Sequence, residues 1–308
     1  MGRNVKALIR QIPLLAAAGY LPAAAMAQEA VFKTSVSLVR LLVTVKDRQG
    51  APALDLKKEN FRISDNGVEQ QITLFERHTE QPLSVAILID TSGSTGKELK
   101  YETDSVVRFG RALFGEGNPE DRAALYSFNW EVVQRTAYTR SAQQIDKNLR
   151  GLKGEGGTSL YDALWFAARD MDGREGRKVI IVVTDGGDTT SSRTFHQALE
   201  TVQLADAVIY SILVMPITND AGRNIGGENA LTTFAEGTGG RVFAPSVGAQ
   251  LDEAFAQILR DLRTQYLIGY YPKKAAPAKD RFHKLKVLVD QPGLRVQTRS
   301  GYYSDAER

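Results

Sequence analysis

The chain has 308 residues, 43% hydrophobic and 24% charged, the profile of a globular protein rather than a disordered or fibrous one. It contains no cysteine, which excludes disulfides and thiolate metal sites. Its net charge of +3 is accounted for by Arg3, Lys6 and Arg10, which stand in a leading segment without acids; from Gln28 onward the chain is neutral, with no electrostatic footprint for nucleic acid or an anionic membrane.

That leading segment comes first in chain order. Its three cations precede an apolar run from Ile12 to Ala25, and Ala25-Met26-Ala27 sets small residues at the minus-three and minus-one positions before Gln28. Residues 1–27 therefore read as a secretory signal peptide cut after Ala27. The apolar run is shorter than the roughly 20 residues that span a bilayer, so no stable membrane insertion is expected after cleavage. The expected destination is the periplasm or the exterior.

Residues 28–80 read as an N-terminal β module. "SVSLVRLLVTVKD" carries β-branched residues at period two, and in "NFRISDNGVEQQITLFER" the triplet Asp65-Asn66-Gly67 marks a tight turn between strands. The pattern changes over residues 81–264. Apolar runs at 83–90, 122–128, 178–184 and 207–214 lack alternation, as expected of strands buried on both faces. Helix-length stretches separate them: 97–114, with Leu99, Val106, Phe109 and Leu113 near helical spacing, then 159–171, 194–206 and 248–263. Repeated strand, helix, strand order predicts an α/β fold with a Rossmann-like, doubly wound, mostly parallel sheet.

Residues 265–308 return to strands in "QYLIGYYP", "HKLKVLVD" and "LRVQTRSGYY", with a Lys/Ala/Pro loop at 273–279. Neither β zone alone has enough strands to bury a two-sided core. Residues 31–80 and 266–303 are therefore predicted to pair into one β-sandwich, packed by Tyr266, Tyr270, Tyr271, Tyr302 and Tyr303, with the α/β domain inserted between them. The charge-rich run Arg169 to Lys178 reads as a solvated loop.

The chemistry concentrates where strands end. "LIDTSGSTGKEL" at 88–99 has the look of a phosphate loop, but Gly-x-x-x-x-Gly-Lys-Ser/Thr would need glycine at Thr91 and a hydroxyl at Glu98. What it does contain is Asp90-x-Ser92-x-Ser94, oxygen ligands at alternate positions. Asp185 closes "KVIIVVTD", and Thr158 lies in "GEGGTSLYDAL" just before a helix. Open α/β sheets bind ligands beyond the carboxyl ends of their strands, so these loops are expected to converge. Asp90 and Asp185 would neutralise a hard divalent cation, with hydroxyls from Ser92, Ser94 and Thr158. Asp162 reads as an acid favouring its helix N-terminus, Asp188 and Thr189 as loop residues, Lys97 as a solvent-facing lysine, and Trp130 and Trp165 as core or rim.

Asp-Thr-Ser-Gly-Ser at 90–94, Gly-Gly-Thr-Ser-Leu-Tyr-Asp-Ala-Leu at 156–164 and Thr-Asp-Gly-Gly-Asp at 184–188 resemble, in order and strand context, the three motif loops of the von Willebrand factor A domain. The resemblance implies an intact metal-ion-dependent adhesion site: Asp90 as the first-loop carboxylate, Ser92 and Ser94 as direct ligands, Thr158 as a direct or water-bridged ligand, and Asp185 as the outer carboxylate. The flanking "VSLVRLLVTVKDRQGAPALDLKKENFRISDNGVEQQITLFE" and "YLIGYYP" are similar to bacterial secreted proteins described as von Willebrand factor A-related.

The expected function is metal-dependent protein binding, with Mg²⁺ (or Mn²⁺ or Ca²⁺) whose open position accepts an acidic side chain of a partner protein. The alternative is a structural envelope protein whose metal only clamps loops. Catalysis is not expected. His78, His196 and His283 are the only histidines, no Ser-His-Asp order or Gly-x-Ser-x-Gly elbow occurs, and Ser92 stands where a haloacid-type phosphatase needs a second acid. A two-aspartate hydrolase built on Asp90 and Asp185 is the remaining enzymatic form.

Overall fold

A computed structural model describes residues 38–77, 80–96, 98–115, 117–214, 224–246, 248–273 and 281–303. The expected signal peptide, His78 and Lys97 lie outside the described residues, as does most of the 273–279 loop. Strand β1 (Val39–Lys46) buries Val39, Leu41, Val43 and Val45, the period-two set that its sequence displays. Strands β2 (Phe61–Asp65) and β3 (Val68–Gln70) are joined at Asn66 and Gly67, with φ of 47° and 82°. Two successive left-handed residues make the turn whose twist matches a hairpin, which is why Asn-Gly stands there. Strand β4 (Ile72–Glu76) is the last before the central sheet.

The central sheet follows from strands with no polar face. All eight residues of β5 (Leu83–Asp90) are buried. After it come α1 (Leu99–Gly115), β6 (Arg122–Phe128), β7 (Val132–Thr139), α2 (Ala142–Leu149), α3 (Leu160–Asp170), β8 (Arg177–Thr184), α4 (Phe195–Leu204), β9 (Ala207–Leu213), α5 (Ile225–Thr238), β10 (Val242–Phe243) and α6 (Ala249–Arg263). The strand order is β10-β9-β8-β5-β6-β7, parallel throughout except for the β6/β7 pair. Side-chain alternation assigns the two faces. Val85, Ile87 and Ile89 pack with Val179, Ile181 and Val183 under α1, α2 and α6, whereas Ala86 and Leu88 pack with Ile180 and Val182 under α3, α4 and α5. Helices on both faces of a mostly parallel sheet are the architecture that the strand-helix order predicts.

The chain closes with β11 (Tyr266–Tyr270), β12 (Phe282–Val289), β13 (Arg295–Gln297) and β14 (Gly301–Tyr303). These combine with the first four strands into two antiparallel sheets, ordered β13-β1-β11-β4 and β14-β12-β2-β3. Their shared core includes Leu41, Val43, Phe61, Ile63, Tyr266, Ile268 and Tyr270. A polar knot ties both ends of the chain together inside it. Asp65, fully buried, accepts hydrogen bonds at 2.8 Å from the hydroxyls of Tyr270 and Tyr302 and from Nδ1 of His283. Tyr271, by contrast, is exposed.

The central domain is fastened to this sandwich through α6: Lys46 of β1 pairs with Asp261 at 2.5 Å, both largely buried. Arg177, read in the sequence as part of a solvated loop, is instead buried, donating to the backbone oxygens of Gln81 and Leu262. Burial lowers its pKa to about 10, still a cation at neutral pH. Strand β7 and helices α2 and α5 were not marked by the sequence pattern. β7 is an edge strand interrupted by exposed Gln134 and Arg135, α2 has only eight residues, and α5 opens on Gly226 and Gly227.

Candidate functional site

β5 has β6 on one side and β8 on the other, so the chain reverses its winding direction at β5 and leaves a crevice beyond the carboxyl ends of β5 and β8. The register aligns Ile89 with Val183, which brings Asp90 abreast of Thr184 and puts Asp185 one residue further on. Two acids far apart in sequence thereby reach one rim of the sheet.

Asp90 is fully buried. Its Oδ1 accepts from the Ser92 backbone N–H at 2.8 Å, and its Oδ2 accepts from the Thr184 hydroxyl at 2.5 Å. Burial pushes its carboxyl up to about 6, the two hydrogen-bonding residues pull the other way, and the charge of Asp185 adds to the rise. The Ser92 and Ser94 hydroxyls are 3.1 Å apart, with Ser92 buried and Ser94 exposed. Thr95 locks the loop, its hydroxyl bonding to the backbone oxygens of Asp90 (3.0 Å) and Ser92 (3.1 Å).

Backbone hydrogen bonds join the three loops. Gly93 N–H donates to the Gly156 oxygen at 3.1 Å and Glu155 N–H to the Thr91 oxygen at 2.9 Å. Thr158 is held from the other side: its N–H donates to the Thr189 hydroxyl at 2.8 Å, and its oxygen accepts from the N–H groups of Thr189 and Thr190 at 2.8 and 3.1 Å. Glycine is required where the loops touch. A Cβ on Gly154 would stand 2.6 Å from Gly96 Cα, and one on Gly227 would stand 1.2 Å from the Gly186 oxygen. Asp90, Ser92, Ser94, Thr158 and Asp185 thus occupy three loops in direct backbone contact, with Asp185 half-buried.

Neighbouring residues keep the places expected of them and gain partners that the sequence does not show. Asp162 stands in the first turn of α3, as expected of an acid favouring that helix end, and its carboxylate also accepts from the N–H groups of Ser192 and Arg193 at 2.9 Å. Asp188 is the loop residue that the sequence suggests, and from that loop it accepts from Tyr161 N–H at the start of α3 at 3.1 Å. Trp130 is a rim residue, 58% exposed, with its ring against Gly156. The sequence reading also passed over two acids. Glu98 and Glu102 are buried at the start of α1, and both carboxylate oxygens of Glu102 are buried with no hydrogen-bond partner. The available signal was position: 102 falls on the same helix stripe as Leu99, Val106 and Phe109, where an acid is out of place.

No group of three or more His, Cys, Asp or Glu side chains arranged to hold a metal occurs among the described residues. The donors gathered here are two carboxylates and three hydroxyls, an all-oxygen set that suits a hard cation and not a soft one.

Residues 85–187 match the family model of the von Willebrand factor type A domain. The central α/β unit has the von Willebrand factor A (VWA) fold. Among solved structures, the VWA-type domain of the type V pili tip protein Mfa5 from Porphyromonas gingivalis is similar, at 17% identity, TM-score 0.50, and coverage of 59% of this chain and 95% of that one. BatB from Bacteroides thetaiotaomicron is matched at 16% identity and TM-score 0.48, covering 59% of this chain and 100% of that one. Among curated proteins, bovine inter-alpha-trypsin inhibitor heavy chain H4 (Bos taurus) is 25% identical over 126 residues, 37% of this chain and 13% of the relative. The match thus spans about an eighth of that relative's length. The VWA match covers the first two loops and the third as far as Gly187, and the sandwich lies outside it. No helix among the described residues is long and apolar enough to cross a membrane.

Proposed function

We propose that the protein is an exported, metal-dependent protein-binding molecule. Asp90, Ser92, Ser94, Thr158 and Asp185 hold a divalent cation, Mg²⁺ by donor type with Mn²⁺ or Ca²⁺ as substitutes, and an acidic side chain of a partner protein completes its shell. The observation that supports this reading is the meeting of three loops at the switch point with two acids and three hydroxyls on them. Asp90, raised by burial and by Asp185, belongs to a pair of like charges in a site of low dielectric, and such a pair favours a cation close by. When bound, the cation supplies attraction for an anionic oxygen. Asp90 and Asp185 balance its charge, the hydroxyls add neutral donors, and Thr95 and Thr184 keep the first loop and Asp90 in place. Exposed Ser94 and half-buried Asp185 form the side that a partner can reach.

Asp90→Ala tests the reading. The variant is expected to keep its circular-dichroism spectrum while losing Mg²⁺ uptake by calorimetry and losing partner capture from envelope and medium fractions. A partner retained after chelation, together with a lowered melting temperature, would replace this reading with that of a scaffold whose cation clamps loops. Turnover of a phosphate ester that disappears in Asp185→Ala would replace it with a hydrolase.

A further inference from the structure

The buried acid of α1 stands out against the rest of the helix. Glu102 is fully buried, and neither of its oxygens has a hydrogen-bond partner. Among buried polar groups such orphans are rare, because an ionised carboxylate without donors or a counter-charge is costly to bury. Its place in the chain connects it to the Asp90 loop by consecutive hydrogen bonds, two between backbone groups and the last through a side chain. Glu102 N–H donates to the Glu98 oxygen, Glu98 N–H to the Thr95 oxygen, and the Thr95 hydroxyl to the oxygens of Asp90 and Ser92. A helical side chain leans toward the helix N-terminus and covers the preceding turn. From position 102 that turn is the one resting on the Asp90–Ser94 loop. Burial above all, and then the negative charges of Asp90, Glu98 and Asp185, hold the Glu102 carboxyl well above the usual range.

We propose that Glu102 is an outer carboxylate of the cation site, supplying negative charge from the floor of the crevice and accepting a hydrogen bond from a water bound to the ion. The proposal rests on the metal reading above and adds a residue to it. In the metal-free protein the same group destabilises the fold, so its role divides between holding the cation and opposing the apo state. A residue present for packing alone would not divide in that way.

The test uses the full chain and Mn²⁺ as probe, with free Mn²⁺ read by electron paramagnetic resonance and melting followed in the presence of chelator. Glu102→Gln and Glu102→Met both remove the charge and keep the bulk, so folding of either one is enough. The expected result is Mn²⁺ affinity lowered about ten- to a hundredfold, the range seen when groups supporting a metal site are removed, with a melting temperature in chelator equal to or above that of the unaltered chain. Asp90→Ala, measured in parallel, separates the two claims. Mn²⁺ affinity unchanged in Asp90→Ala overturns the metal reading itself. Affinity lost in Asp90→Ala but unchanged in both Glu102 variants overturns only the place given to Glu102.

Discussion

Burial raises the Asp90 carboxyl from its ordinary 3.8 to about 6, against hydrogen bonds from Thr184 and Ser92 and with the help of the Asp185 charge. Between those two values the folded chain keeps a proton that the unfolded chain has released, so metal-free stability falls as pH rises through the window. A divalent cation competes for the same oxygens, and its binding is expected to weaken progressively below about pH 6. Melting curves with and without Mg²⁺ check both signs: they should converge in acid and separate above about pH 6. A separation independent of pH would remove Asp90 from the binding step. At this scale the sequence shows which side chains end strands, and Asp90, Ser92, Ser94, Thr158 and Asp185 are found on loops that meet. It does not show register, and register alone makes Thr184 the partner of Asp90. Asp162 and Asp188 stand where the sequence puts them, in a first helical turn and in a loop, but their partners are not legible there, because each serves backbone on the other's segment.

The loops keep their positions because backbone packs on backbone, and this makes the glycines of the second loop a sensitive point. In Gly154→Ala the new Cβ would meet Gly96 Cα at 2.6 Å and the Ser92 oxygen at 2.9 Å, atoms that cannot rotate away. The first and second loops are then expected to part, lowering Mn²⁺ affinity about tenfold, equivalent to roughly 1.4 kcal/mol. Calorimetric titration checks this, and the sheet should be unaffected because Ser92, Gly96 and Gly154 belong to neither of its cores. Elements buried on both faces were legible as unbroken apolar runs: the sequence runs 83–90 and 122–128 are β5 and β6 to the residue. Elements on the margin were not. β7 carries polar residues along an edge, and α5 relies on Asn224, whose side chain accepts from Gly227 N–H, more than on an apolar stripe.

Across the whole molecule, the sandwich joins segments that stand more than two hundred positions apart, as in the bonds of Tyr270 and Tyr302 to Asp65. β11 lies between β1 and β4, so it carries hydrogen bonds to both. Ending the chain before Tyr266 should therefore strip the N-terminal strands of their neighbours, and amides of Val39 to Val43 are expected to lose exchange protection by mass spectrometry. Retained protection would mean that those strands fold without the C-terminal segment. This pairing was readable in outline, because neither β zone alone can fill a core, while the division into two sheets depends on register that the alternation does not encode.

The pairing of β4 with β11 sets Glu76 opposite Leu267, so the chain departs for the central sheet and comes back at adjacent rungs of one ladder. Everything from 78 to 265 occupies the place of a hairpin loop. The entropy of closing a loop grows only slowly with its length, so the β scaffold is indifferent to the size of what it carries. Such a joint behaves as a socket: a different head fits the same pair of strands once it also supplies an acid for Lys46, which Asp261 now provides.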